Sequence, residues 1–170
     1  MRYVVDACNL IFRDRKLEDT LDEQGFPAAR SLLVTMLARF AAAEDIQQII
    51  AVFDGSEKAA HRPRKQSEAQ GRVLLVYADP RTNADRFIID LVEDSKRPGE
   101  ITVVTGDKFI IRHIQRSRAH HLGCRDFLRK IRSAGRRHPS SEEPQGKFTG
   151  QLSPREVDEW MRYFGFDEGK

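Results

Sequence analysis

Cysteine is scarce in this chain: Cys8 and Cys124 are the only two, and they form no CxxC pair. That excludes a disulfide scaffold and fits a reducing cytoplasm. His113, His120, His121 and His138 fall into no zinc-ligand framework with cysteine, and the adjacent pair His120-His121 would point to opposite faces of a strand. No run of about 18 apolar residues occurs, so no transmembrane helix is indicated. The N-terminus passes almost at once into the strand-like Tyr3-Val4-Val5, without the apolar core of a signal peptide. A glycine-rich phosphate loop is lacking, which counts against a P-loop enzyme or a dinucleotide-binding Rossmann domain. There is no Gly-x-Ser-x-Gly elbow. The first strand leads into Asp6-Ala7-Cys8, not the Asp-x-Asp of a phosphatase-like hydrolase. No internal repeat is evident.

What remains is a 170-residue chain, 39% hydrophobic and 32% charged, which suits one globular domain with a polar surface. Its net charge of +3 is modest but unevenly spread. From Lys108 to Arg137 there are ten Lys/Arg and one acid, Asp126; up to Asp107 there are 15 Lys/Arg against 18 Asp/Glu. A basic segment following an acidic one suits a polyanionic partner, with ordinary solvated helix faces as the competing account.

Near-continuous apolar, β-branched runs at 2–6, 48–53, 73–77 and 101–105 read as strands covered on both faces. Helical spacing marks 27–44 (Leu33, Met36, Leu37, Phe40, led by Pro27), 84–95 (Ala84, Ile88, Leu91, Val92) and 108–117 (Ile110, Ile111, Ile114). A weak fifth strand near 119–122 precedes an Arg-rich helix near 124–133. This alternation predicts a three-layer α/β/α fold with a mostly parallel sheet of about five strands. Residues 55–72, with Arg62, Arg64 and Lys65, read as a basic connection: a substrate-contacting loop or a plain surface loop. Residues 134–150 read as a flexible linker. Ser153-Pro154-Arg155-Glu156 opens a short amphipathic helix in 151–170 that docks back or binds a partner.

Four acids stand at strand ends or helix starts: Asp6, Asp54, Asp85 and Asp107. Each alone has a structural explanation, as Asx-turn, turn dipeptide, dipole partner or N-cap. Together they would converge at the carboxyl edge of a parallel sheet, where ligands bind in such folds. Crowded carboxylates repel unless protonated or bridged by a cation, which makes the set a metal-site candidate.

The segments Val4-Val5-Asp6-Ala7-Cys8-Asn9-Leu10-Ile11, Val52-Phe53-Asp54-Gly55, Asn83-Ala84-Asp85-Arg86-Phe87-Ile88 and Val103-Val104-Thr105-Gly106-Asp107 resemble, in order and spacing, an NYN domain of the PIN-like nucleases, most closely the YacP-like bacterial endoribonucleases. The resemblance runs from residue 2 to about 133. It implies a PIN-like fold, with Asp6, Asp85 and Asp107 as principal metal carboxylates, Asp54 assisting, and Asn9 at the mouth positioning a water or phosphate oxygen. Family members commonly carry Gly after the first Asp, where this chain has Ala7.

The chemistry so implied is hydrolysis of RNA phosphodiesters with one or two Mg²⁺ or Mn²⁺ ions, all-oxygen ligands suiting such hard cations. Lys108, Arg112 and Arg116 form one basic row and Arg125, Arg129 and Arg132 another, either of which can track a phosphate backbone. No aromatics are obviously placed for base stacking. The expectation is a cytoplasmic endoribonuclease, monomeric or weakly dimeric and independent of membranes, acting on messenger or ribosome-associated RNA. The alternative is an RNA- or ribosome-binding module with a weak or inactive site.

Overall fold

The computed structural model describes residues 1–55, 67–78 and 83–137. In chain order its elements are β1 (Arg2–Asp6), α1 (Ala7–Ile11), α2 (Arg15–Gln24), α3 (Phe26–Ala43), β2 (Gln48–Phe53), β3 (Ser67–Gln70), β4 (Val73–Tyr77), α4 (Asn83–Glu93), a 3₁₀ turn (Pro98–Glu100), β5 (Ile101–Val104), α5 (Lys108–Ile114), β6 (His120–Leu122) and α6 (Cys124–Arg137). The sheet order is β3-β4-β2-β1-β5-β6. Five strands run parallel, and β3 alone is antiparallel, on the edge beside β4.

The parallel core follows from the apolar runs. Every residue of β1, β2 and β5 is buried, as their lack of alternation requires for strands covered on both faces. Alternate strand residues feed two cores. Tyr3, Val5, Ile49, Ala51, Phe53 and Leu75 pack beneath α1, α2, α3 and α6. Val4, Ile50, Val52, Leu74, Val76 and Val103 pack beneath α4 and α5. Helix α3, at 18 residues, is long and apolar enough to cross a membrane by length and composition alone. Its buried Leu33, Leu37 and Phe40 identify it as the core helix of the first layer.

Strand order fixes where a site can form. From central β1 the chain steps outward through β2 to β4, then α4 carries it back across to β5 on the other side of β1. The order therefore reverses between β1 and β5, the kind of position at which open α/β sheets bind ligands beyond the strands' carboxyl ends.

Several elements differ from the sequence reading. Four residues of the 55–72 connection form β3, a polar edge strand (Ser-Glu-Ala-Gln) with no apolar signal to betray it. Helix α5 stops at Ile114, so Arg116 lies in the following turn and not on a third step of a helical row. Helix α6 continues through Arg137, into the segment read as linker from 134. Ala134 is buried there, and the Arg137 guanidinium is ion-paired with Glu44 of the residue following α3. The remainder of that linker and the 151–170 helix lie outside the described residues.

Candidate metal and nucleic-acid site

The backbone brings Asp6 and Thr105 level. Val5 is in register with Val104, so the next residues of the two parallel strands lie side by side at the switch point. Asp6 is 5% exposed and Thr105 fully buried. The Thr105 hydroxyl donates to Asp6 Oδ2 at 2.9 Å and itself accepts from the Asp107 backbone N–H at 3.0 Å. The other oxygen, Asp6 Oδ1, accepts from the Asn9 backbone N–H at 3.1 Å and so caps α1. One hydroxyl thus ties two of the four acids together.

Asp54, two residues beyond the β1–β2 register, reaches across to α4: its Oδ1 accepts from the Ala84 backbone N–H at 3.1 Å. That bond fixes the start of the helix on which Asp85 is the next residue. Asn83 completes this start, with a positive φ of 48° and a side chain that accepts from the Arg86 N–H at 3.0 Å. Asp107 caps α5 through the Phe109 N–H at 2.6 Å. Asp6, Asp54 and Asp107 thus each accept from a backbone N–H at a helix start, and Asp85 lies in the first turn of α4.

The acids feel one another. Burial pushes the Asp6 carboxyl up to about 6, with Asp85 and Asp54 adding to the rise against the two hydrogen bonds that lower it. Asp85 is raised by burial, then by Asp107 and Asp54. This mutual repulsion is what a divalent cation relieves. As they stand, no three His, Cys, Asp or Glu side chains among the described residues are disposed to hold a metal ion. The donor chemistry, all carboxylate oxygen, fits Mg²⁺ or Mn²⁺, and ligation asks the side chains to draw closer than they are.

Asn9 is half-buried beside Gly106, its Oδ1 accepting from the Cys124 thiol at 3.4 Å. Gly106 leaves room for it: a Cβ at that position would lie 3.0 Å from Asn9 Oδ1 and 3.9 Å from Arg13 Nε. Both thiols are pushed up to about 11. Burial dominates in each case, with Asp54 and Asp6 adding for Cys8 and Asp6 for Cys124, where Arg13 pulls the other way. They are neutral thiols and free of disulfide.

The basic rows divide. Lys108, Arg112, Arg116, Arg125 and Arg129 are all exposed. Yet α5 packs with the α4 layer and α6 with the α3 layer, so the two rows occupy opposite faces of the sheet. They approach each other only at the carboxyl edge, where Lys108 and Arg125 stand in the first turns of their helices. Arg129 is paired with Asp126, and Arg132 is bonded at 2.6 Å to the buried Asp14, which makes it a structural tie. Arg62, Arg64 and Lys65 lie outside the described residues.

Sequence reasoning missed Thr105, Cys124 and Arg13. Only Thr105 left a signal, a hydroxyl at the end of an otherwise apolar strand immediately before Gly106-Asp107.

Comparison with known proteins bears on the family and the fold. The family model for the YacP-like NYN domain matches residues 3–164. The crystal structure of Rae1 (YacP) from Bacillus subtilis, as a tryptophan-to-leucine mutant, superposes with a TM-score of 0.67 at 25% identity, over 81% of this chain and 79% of that one. A second Rae1 (YacP) structure from the same organism gives a TM-score of 0.65 at 22% identity, covering 82% and 78%. A search of curated protein sequences gives no significant match. The family match reaches beyond residue 133, where the resemblance read from the motifs ends. With its PIN-like sheet, the ordered motifs and a match over most of its length, the chain belongs to the YacP-like NYN domains, a nuclease family.

Proposed function

We propose that this protein is an endoribonuclease that hydrolyses RNA phosphodiester bonds with the help of Mg²⁺ or Mn²⁺. The observation that carries the reading is the buried Asp6 carboxyl, raised to about 6 beside Asp85 and Asp54 and tied through Thr105 to Asp107. Asp6, Asp85 and Asp107 would hold the metal. Asp54 assists by fixing the α4 start through Ala84. A divalent cation held there would lower the pKa of a water and offset charge developing on the phosphate. The chain's own contribution is orientation. Thr105 and the Asn9 N–H keep Asp6 ionisable despite burial, and the Asn9 amide, held by Cys124 and spaced by Gly106, aligns a water or phosphate oxygen. Lys108, Arg112 and Arg125 supply sequence-independent phosphate contacts at the edge. The two free thiols fit action in a reducing cytoplasm. Messenger RNA, including RNA on the ribosome, is the substrate this reading favours, with the protein acting as a monomer or weak dimer.

One observation favours the second reading, an RNA- or ribosome-binding module with a weak site: the carboxylates are not drawn together for ligation. Labelled RNA incubated with Mn²⁺ or with EDTA separates the two, using the wild type, Asp6→Asn and Asp85→Asn. The nuclease reading expects metal-dependent cleavage that both substitutions abolish. Equal inertness of all three with RNA binding retained would put the binder first. Cleavage indifferent to either substitution would overturn the site assignment.

A further inference from the structure

Four large apolar side chains are substantially exposed among the described residues: Met1, Phe12, Phe26 and Phe109, at 67%, 60%, 39% and 47%. Singly, such residues need no explanation. Their placement is not scattered. The three phenylalanines all stand at the carboxyl end of the sheet.

Phe109 follows Asp107 by two residues in the first turn of α5, and its N–H is the group that carboxylate caps. Its ring lies 4.3 Å from the half-buried His113 ring one turn on, tilted 52° to it, and Phe109 remains 47% exposed. Phe12 ends α1, the helix that Asp6 opens, and its neighbour Arg13 lies over Gly106. Arg13 is exposed and has no carboxylate within ion-pair distance among the described residues. Phe26 opens α3 on the other flank. It meets Phe53 edge-on at 5.9 Å, and Phe53 is the residue before Asp54. Phe109 and Phe26 therefore stand at the ends of β5 and β2, on the α5 and α3 sides of the sheet, and Arg13 beside Gly106 has no acid partner among the described residues.

From this juxtaposition we infer that Phe109 and Phe26 are stacking platforms for the bases of single-stranded RNA, with Arg13 taking a phosphate between them. The inference rests on the endoribonuclease reading and gives it a substrate form. Exposed rings accept any unpaired base and no paired one, because a base inside a duplex already has both faces covered. The preference for single strands then comes from the rim and not from the carboxylates. A protein partner could also cover exposed phenylalanines. The exposed guanidinium of Arg13, unpaired by any acid among the described residues, favours an anionic polymer with aromatic bases.

The test measures binding in EDTA, where cleavage cannot contribute, with a short single-stranded oligoribonucleotide carrying 2-aminopurine and the same oligomer in a duplex. Stacking on a ring quenches 2-aminopurine. Wild type should bind the single strand with quenching and the duplex at least about tenfold more weakly. Phe109→Ala and Phe26→Ala should each lose about fivefold or more in affinity, the scale of one base–ring stack, together with the quench. Phe109→Trp should retain both, and Arg13→Ala should weaken binding without altering the quench. Unchanged affinity and quenching in both alanine variants, or equal binding of duplex, would overturn the platform and leave the rings to a protein partner. A ring-dependent quench in a protein that cleaves nothing with Mn²⁺ would uphold the platform and sink the nuclease reading alone.

Discussion

Thr105 donates its hydroxyl proton to Asp6 at 2.9 Å and receives the Asp107 N–H at 3.0 Å, so one side chain sets the positions of two acids 101 residues apart in sequence. Thr105→Val preserves shape and removes both bonds. It should destabilise the protein by about 1–3 kcal/mol, the cost of leaving buried polar groups unpaired. It should also reduce RNA cleavage, while Thr105→Ser stays close to wild type. Thermal denaturation and a cleavage rate for the three proteins decide it, and a valine variant equal to wild type in both would refute the role.

Asp6 carries a pKa raised to about 6 from an ordinary 3.8, so the folded state holds this proton more tightly than the unfolded chain. Ionised Asp6 therefore opposes folding of the metal-free protein. The penalty is full above pH 6 and fades as pH falls through 6 towards 4. Asp6→Asn should raise the melting temperature of metal-free protein at pH 7.5 and give little gain at pH 4.5. Adding Mn²⁺ should raise the wild-type melting temperature at pH 7.5 and leave Asp6→Asn unmoved. A wild type indifferent to Mn²⁺ would count against metal binding at this carboxylate.

Gly106 is needed for space, not for an unusual backbone angle. Gly106→Ala would bring a Cβ to 3.0 Å from Asn9 Oδ1, so Asn9 must yield by a few tenths of an ångström. Cleavage should fall by about tenfold, as small displacements at a reacting centre do, with the melting temperature almost unchanged. Activity at the wild-type level would show that Asn9 can move without consequence.

Lys108 and Arg112 lie on α5 beside the acids, whereas Arg129 is already paired with Asp126. Alanine at the first two positions should weaken RNA binding regardless of sequence and flatten the salt dependence by about 0.7 in log–log slope per lost phosphate contact. Arg129→Ala should do much less. Titrations at several salt concentrations give the slopes, and identical slopes for all variants would remove α5 from the interface.

The fold was legible where burial leaves a compositional mark. Runs such as Ile49 to Phe53 and Ile101 to Val104 are apolar without alternation, and they became the strands at nearly the bounds expected. Polar elements left no such mark. Strand β3 lies on an edge, and α2 buries only Leu17. The acids could be named because each sits at a change of element, but their spacing in three dimensions depends on register. Thr105 lies beside Asp6 through the β1–β5 pairing, a relation between residues far apart that no local pattern encodes. The exposed rings escaped for a related reason. Phe12, Phe26 and Phe109 are separate in sequence and share an end of the sheet only after α1, α3 and α5 have packed.

Central β1 is made first but finds its second neighbour, β5, only after about a hundred residues. Pairing across so long a loop is entropically slow, and it belongs to the late part of folding. During synthesis Asp6 therefore emerges well before Thr105, whose hydroxyl orients it, and Asp107, which that hydroxyl also holds. A chain stalled anywhere before β5 carries Asp6, Asn9 and at most Asp54 and Asp85, and lacks the Thr105 hydroxyl and Asp107 that complete the set.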